Sequence, residues 1–260
     1  MTGAGGGDAE IWDRLVPEYA GRLALDPPER ALLGELRAQL AGMAMLDIGV
    51  GAGRTAYTFA ALAGRYVGID FSAGMVDRAR ALVGEDDRVS FAVVDARDLS
   101  RFHGQDFGLV LFSFNGIDGV SHEERLTVLG EVRRVIADGG VFAFSAHSLL
   151  ALPFSSSPRR PSLRSPLRSS YRSLYRSARL AMLNGRLDLE AARQRGWAQI
   201  RDEAHGFSLV QYYVMPAVQI EQLAEAGFDE PRVFDMRGRE VDPAAPGRDP
   251  HLFYVCRPRP

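Results

Sequence analysis

The 260-residue chain carries 31 basic and 33 acidic side chains, a formal net charge of −2, with 46% hydrophobic residues. That balance argues against general polyanion binding, and no apolar run approaches the roughly 18 residues that a membrane span requires. The lone Cys256 sits in the apolar run HLFYVC, which leaves no disulfide framework, and the opening MTGAGGGDAE has neither the basic flank nor the apolar core of a signal peptide. The expectation is a cytoplasmic protein without membrane attachment, long enough for one α/β domain plus an insertion to bury a sizeable core.

In chain order, residues 1–8 read as a glycine-rich disordered tail, and residues 9–24 and 27–41 as helices, the second with Pro28 near its first turn. Residues 45–56, MLDIGVGAGRTA, then read as a buried strand running into a glycine-rich turn, with a helix expected from Thr55. Such a turn lets a ligand approach the backbone closely, and a strand–turn–helix unit of this kind cradles nucleotide-like cofactors at the carboxyl end of parallel strands. The dinucleotide spacing G-x-G-x-x-G/A is formally met by Gly51, Gly53 and Ala56, so the glycines alone leave a nicotinamide-dependent oxidoreductase open. Asp47, two residues before Gly49, would repel a pyrophosphate and suits a ligand carrying an ammonium or sulfonium charge.

Asp47, Gly49, Gly51 and Gly53 match position for position the [D/E]-x-G-x-G-x-G motif I of the class I S-adenosylmethionine-dependent methyltransferases, which this stretch resembles. Later segments resemble that family's motifs in order. RYVGIDFSAGM (65–75) supplies Asp70, to which the resemblance gives the ribose hydroxyls, with Phe71, Ser72 and Met75 beside the adenine. RVSFAVVDARDL (88–99) ends on Asp95, Ala96 and Arg97, where Asp95 is expected to accept from the exocyclic amine. DFGLVLFSFNGID (106–118) resembles the fourth strand, whose end, with Ser113 on the cofactor side and Asn115 on the substrate side, faces the transferred methyl. EVRRVIADGGVFAFSAHS (131–148) resembles the helix, glycine turn and fifth strand. Gly108 departs from the family's common acidic residue, which puts local packing in question. IWDRLVPEYA (11–20) is similar to the helix that covers the cofactor in many members, with Trp12 and Tyr19 on one side; Tyr19 would face the methionine moiety.

The resemblance therefore implies a Rossmann-like α/β fold: a seven-stranded, mostly parallel sheet with an antiparallel last strand and a helical lid insertion. It divides the chain into the tail (1–8), a cofactor-binding core (9–148), a lid for substrate recognition (149–215) and the closing part of the sheet (216–260), where 216–228 reads as an amphipathic helix. The lid region is strongly basic, with 11 arginines against Asp188 and Glu190 between Ser155 and Arg201, and a tetrapeptide recurs as LRSP, LRSS, YRSL, YRSA over 163–178. On a helix beginning near Pro166 that repeat would form an arginine ridge beside a Leu/Tyr ridge.

The expected activity is methyl transfer from S-adenosylmethionine to a small-molecule acceptor with an oxygen or nitrogen nucleophile, in natural-product biosynthesis. His147, after the fifth strand, is the first candidate for a general base and His205 the second, with Tyr212 and Tyr213 as acceptor contacts and no metal. His122 reads as a surface residue at a helix start. Competing readings are a non-catalytic module that binds a partner through the arginine ridge and the oxidoreductase above. No RNA-binding module accompanies the basic stretch, which argues against nucleic acid, and the oligomeric state is open.

Overall fold

A computed structural model describes residues 7–104, 106–152, 179, 182–184, 188–202 and 204–260, the side chains of Gly7, Ala204 and His205 excepted. Two helices come first, α1 (Gly7–Tyr19) and α2 (Pro27–Leu40). The α/β core follows as β1 (Ala44–Ile48), α3 (Ala56–Phe59), β2 (Arg65–Asp70), α4 (Ala73–Val83), β3 (Val89–Val93), β4 (Phe107–Phe112), α5 (His122–Val135) and β5 (Ile136–Ser148). Beyond residue 188 come α6 (Leu189–Arg195), the hairpin β6 (Trp197–Arg201) and β7 (Val210–Val214), α7 (Pro216–Glu225), β8 (Arg232–Phe234), β9 (Glu240–Val241) and β10 (His251–Cys256).

The strands form one sheet in the order β3-β2-β1-β4-β5-β10-β8-β9. β1 to β5 run parallel, and their near-continuous apolar composition reflects burial on both faces. One face carries Leu46, Val110, Phe142, Phe144 and Tyr254 against Val128, Val132 and Leu223. The other packs Met45, Leu109, Leu111 and Phe253 against Leu32, Leu36, Phe59 and Ala79. The order reverses between β1 and β4, which opens a crevice at the carboxyl ends of the parallel strands.

Among the described residues the sheet has ten strands, where seven were expected. β10 lies antiparallel between β5 and β8, giving the expected closing hairpin, and β9 adds a short edge. The other two strands come from the insertion. β5 extends past the end of β4, and His147 and Ser148 pair there with Tyr213 and Val214 of β7, so β6–β7 continues the sheet above the cleft. Among its described residues the insertion holds α6 as well as this β-hairpin, and the Arg/Ser repeat at 163–178 lies outside the described residues. α3 is a single turn where a longer helix was expected. At Gly108 a Cβ would stand 3.2 Å from Met43 Cγ, so the missing side chain gives Met43 room to pack on β4. No described helix is long and apolar enough to cross a membrane.

Candidate active site

The cleft at the strand tips encloses about 1150 Å³. Its first wall is the β1 turn, where Gly49, Gly51 and Gly53 all have positive φ. A Cβ on Gly51 would meet nothing nearer than 3.9 Å, so the turn presents bare backbone to the cleft. Gly53 does not line the cleft; a Cβ there would come within 3.1 Å of Ala79 Cα, and its role is to let the turn sit on α4.

Asp47 lies beneath this turn, and its Oδ2 accepts from Thr55 Oγ1 and Tyr66 Oη, both at 2.6 Å. Burial pushes its carboxyl up to about 6 despite those two hydrogen bonds. Asp70, at the tip of β2, accepts from the backbone N–H of Gly51 and of Ser72 at 2.9 Å each, and burial also raises it to about 6. Main-chain donors therefore fix the Asp70 carboxylate at the edge of the glycine turn. Phe71, Met75 and Ala96 line the cleft beside it.

Asp95 lines the cleft and is also paired within the chain. Its carboxylate accepts from the Arg97 N–H at 2.9 Å and from Arg97 Nε at 3.0 Å to both oxygens, while the same guanidinium reaches Glu124. Partial burial works upward on Asp95, but the Arg97 hydrogen bonds hold it below the usual carboxylate range. The third strand tip is an internal Asp95–Arg97–Glu124 ion network rather than a free acceptor.

α1 roofs the cleft. Asp13 Oδ1 accepts from Ser72 Oγ at 2.5 Å and from the Gly74 N–H at 3.0 Å, which latches α1 to the start of α4. Trp12 and Tyr19 face the cleft, and Tyr19 packs edge-on against Phe114 with centroids 6.2 Å apart. Burial first, then Glu18, pushes the Tyr19 hydroxyl up to about 12, so it stays protonated.

Glu29 of α2 was not foreseen. It is 1% exposed, takes both arms of Arg54 (2.6 Å from Nη2 to Oε1), accepts from Ser113 Oγ and accepts the Asp26 N–H at 2.6 Å. Its D-P-P-E setting signals a capping box at a helix start; its partners Arg54 and Ser113, 25 and 84 positions away, leave no local signature.

The far end of the cleft is built on β4, β5 and β10. His147 Nδ1 stands 2.7 Å from Asp118 Oδ2, and the same oxygen accepts the His147 backbone N–H at 2.6 Å. A carboxylate only accepts, so the imidazole proton is on Nδ1 and Nε2 carries the lone pair. Asp118 and Arg125 are both fully buried and paired at 2.6 Å, and Arg125 Nη2 also donates to Gln219 Oε1 at 2.5 Å. His251 lies directly opposite His147 in the β5–β10 register, with ring centroids 4.6 Å apart. Its Nδ1 is 2.6 Å from Asn115 Nδ2, and burial, with His147 alongside, pushes it down to about 4, so it is neutral near pH 7. Phe114 and Asn115 both have positive φ, 56° and 60°, unusual for residues with side chains and found where a site holds the backbone in place.

Tyr212 and Tyr213, expected at the acceptor, do not line the cleft. Tyr212 Oη lies 2.7 Å from His122 Nδ1 and accepts from Gln222 Nε2 at 3.1 Å, while Tyr213 Oη donates to Asp202 and its ring backs His147 at 4.8 Å. Gln211 of β7 lines the cleft instead. His122 is not a solvated surface residue: its ring stacks on Trp197 at 4.5 Å, 5° from parallel. His205 sits on the 3-10 turn Ala204–Phe207, and its side chain lies outside the described residues.

Residues 45–140 match the family model described as "Methyltransferase domain". A demethylmenaquinone methyltransferase of Clavibacter sepedonicus is 34% identical over 116 residues, 45% of this chain and 46% of that protein, so the match spans about half the relative's length. Among solved structures, the DhpI–SAH complex has a TM-score of 0.59 at 20% identity and full coverage of both chains. An S-adenosylmethionine-dependent methyltransferase from Mesorhizobium loti has 0.58 at 19%, over 87% of this chain and 97% of that one. The CcbJ methyltransferase from Streptomyces caelestis has 0.57 at 16%, over 95% and 96%. At these identities the structures share the fold. The domain match, the glycine turn and the sheet order converge on the same residues: residues 45–140 match a methyltransferase domain, and the chain shares the fold of S-adenosylmethionine-dependent methyltransferases.

Proposed function

We propose that the protein transfers a methyl group from S-adenosylmethionine to a small-molecule acceptor, and that His147, oriented by Asp118, takes the acceptor's proton. The observation that carries this reading is one continuous cleft joining the Asp70–glycine turn to the Asp118–His147 pair. Its volume of about 1150 Å³ exceeds the roughly 300–1,000 Å³ of a single small-ligand pocket, which supports two ligands side by side.

The residues present fit the methyl donor. Gly49 and Gly51 offer bare backbone, and the Asp70 carboxylate, already anchored by main-chain N–H groups, is a ready acceptor for ribose hydroxyls. Asp47 below the turn and the Tyr19 ring on the roof suit a sulfonium, while the Glu29 carboxylate is neutralised by Arg54. When bound, the cofactor supplies an electrophilic methyl on a positively charged sulfur. The chain's own residues hold the acceptor in line and remove its proton; positioning of this kind is worth on the order of 7–11 kcal/mol. The Asp118 carboxylate fixes the His147 tautomer and stabilises the imidazolium that forms on proton uptake, as in any carboxylate–histidine pair.

The Clavibacter relative is named for demethylmenaquinone. For this chain we favour a natural-product acceptor, on the size of the cleft and the apolar wall of Leu209, Met236 and Phe253 beside His147. The test is direct. S-adenosylhomocysteine should bind saturably in calorimetry and raise Tm, and a labelled-methyl screen against phenols, amines and carboxylates should find an acceptor. Absence of both the binding heat and the Tm shift would overturn the reading, and a Tm shift with NAD(P) instead would favour the oxidoreductase.

A further inference from the structure

The two imidazoles at the acceptor end are each held through Nδ1, but by partners of opposite character. Asp118 is an acceptor, so His147 is protonated on Nδ1 and bare at Nε2. As the Asn115 amide is placed, its Nδ2 donates to His251 Nδ1, which puts the His251 proton on Nε2. Both rings line the cleft, and among the described residues neither Nε2 has a protein partner. The cleft thus offers one lone pair and one N–H on rings 4.6 Å apart.

We propose that His147 and His251 form a clamp for a neutral phenolic hydroxyl, His251 donating through Nε2–H to the acceptor oxygen while His147 accepts its proton through Nε2. This rests on the methyl-transfer reading and names the acceptor class within it. A hydroxyl both donates and accepts, and so satisfies both nitrogens. An alkylammonium, the form an aliphatic amine takes near pH 7, has only donors and would set N–H against the His251 N–H. A carboxylate has only lone pairs and would set them against His147 Nε2.

Acidity narrows the hydroxyl further. A phenol, at about pKa 10, lies within reach of an imidazole base, whereas an aliphatic alcohol is far less acidic. The walls agree: Phe112, Leu209, Met236 and Phe253 offer apolar surface to an aromatic ring. In the transfer, the phenolic O–H bond breaks and its proton goes to His147 Nε2. The oxygen's electron pair forms the new O–CH₃ bond as the C–S pair returns to sulfur. Asn115 is a positioning residue, setting the His251 tautomer from a backbone with φ of 60°.

The probe is 4-nitrophenol, titrated by calorimetry into the protein saturated with S-adenosylhomocysteine, at a pH low enough that its absorbance shows the neutral phenol. Saturable binding is expected, with 4-nitrobenzoate and 4-nitrobenzylamine weaker by about tenfold or more. His251→Leu should lose about tenfold in 4-nitrophenol affinity, and His251→Gln, which keeps a donor, should recover most of it. Both variants should leave S-adenosylhomocysteine affinity unchanged. Nitrogen-15 spectra of the unliganded protein should show His147 protonated on Nδ1 and His251 on Nε2, and Asn115→Leu should scramble the second but not the first. Absent 4-nitrophenol binding, equal affinity for the three probes, or the same tautomer on both rings would overturn the clamp. Failure of S-adenosylhomocysteine to bind would strike the methyl-donor reading alone, because the tautomer measurement needs no ligand and still decides the clamp.

Discussion

The two ends of the cleft handle polar groups by different means. At the β1–β2 end the anchoring spans 19 positions or fewer and is half main-chain: Asp70 accepts from the N–H groups of Gly51 and Ser72, and Asp47 from the hydroxyls of Thr55 and Tyr66. At the β4–β5–β10 end it is carried by side chains, with Asp118 holding His147 and Asn115 holding His251 across 29 and 136 positions of sequence. A backbone-built end tolerates little variation and suits an invariant ligand. A side-chain-built end can be changed one residue at a time, which is what a variable acceptor requires.

The largest effect expected is at the acceptor end. Asp118→Ala leaves Arg125 fully buried without its carboxylate and should cost about 3–5 kcal/mol in urea unfolding. A loss under about 1 kcal/mol would mean that the pair does not organise this end. His147→Gln should lower kcat on the acceptor found in the screen by on the order of 10²–10⁴, with S-adenosylhomocysteine affinity unchanged. If that affinity falls in step with kcat, the two ends are not separable.

The cofactor end should respond less steeply. Asp70→Ala removes a charged acceptor and should weaken S-adenosylhomocysteine binding by roughly 10- to 100-fold, measured by calorimetry, while 4-nitrophenol binding and the histidine tautomers stay as they were. Smallest is a pH effect. Asp47 and Asp70, raised by burial to about 6, protonate in the fold before their counterparts in the unfolded chain, near 3.8. Between those values the folded state binds more protons, so these two groups favour folding more as pH falls, and less as it rises through 6. Ligand binding runs the other way, since it needs the Asp70 carboxylate ionised. The Kd of S-adenosylhomocysteine should therefore rise below about pH 6 in the wild type, and Asp70→Asn should reduce that dependence.

The same division governs how much was legible before the structure. The glycine turn, the acids at the strand tips and the roof helix are local patterns, and they lie around one cleft. Asp95 shows the limit even there: a motif position does not reveal that Arg97, two residues on, occupies its carboxylate. Tyr212 and Tyr213 were misplaced because the partners that engage their hydroxyls, His122 and Gln222 for one and Asp202 for the other, are set by the fold. β7 pairs with the overhanging end of β5, and Gln211 lines the cleft.

By itself the sequence determined the α/β succession, the switch-point crevice and the cofactor-facing turn, because apolar strand cores, glycine spacing and strand-end acids act over a few residues. Only the tertiary structure decided the acceptor end. His251 meets His147 through an antiparallel register, Asp118 and Arg125 meet because burying either charge alone is costly, and Glu29 reaches Arg54 and Ser113 across the fold. Pairings of that kind are selected by desolvation in the assembled interior, which leaves no periodic trace along the chain.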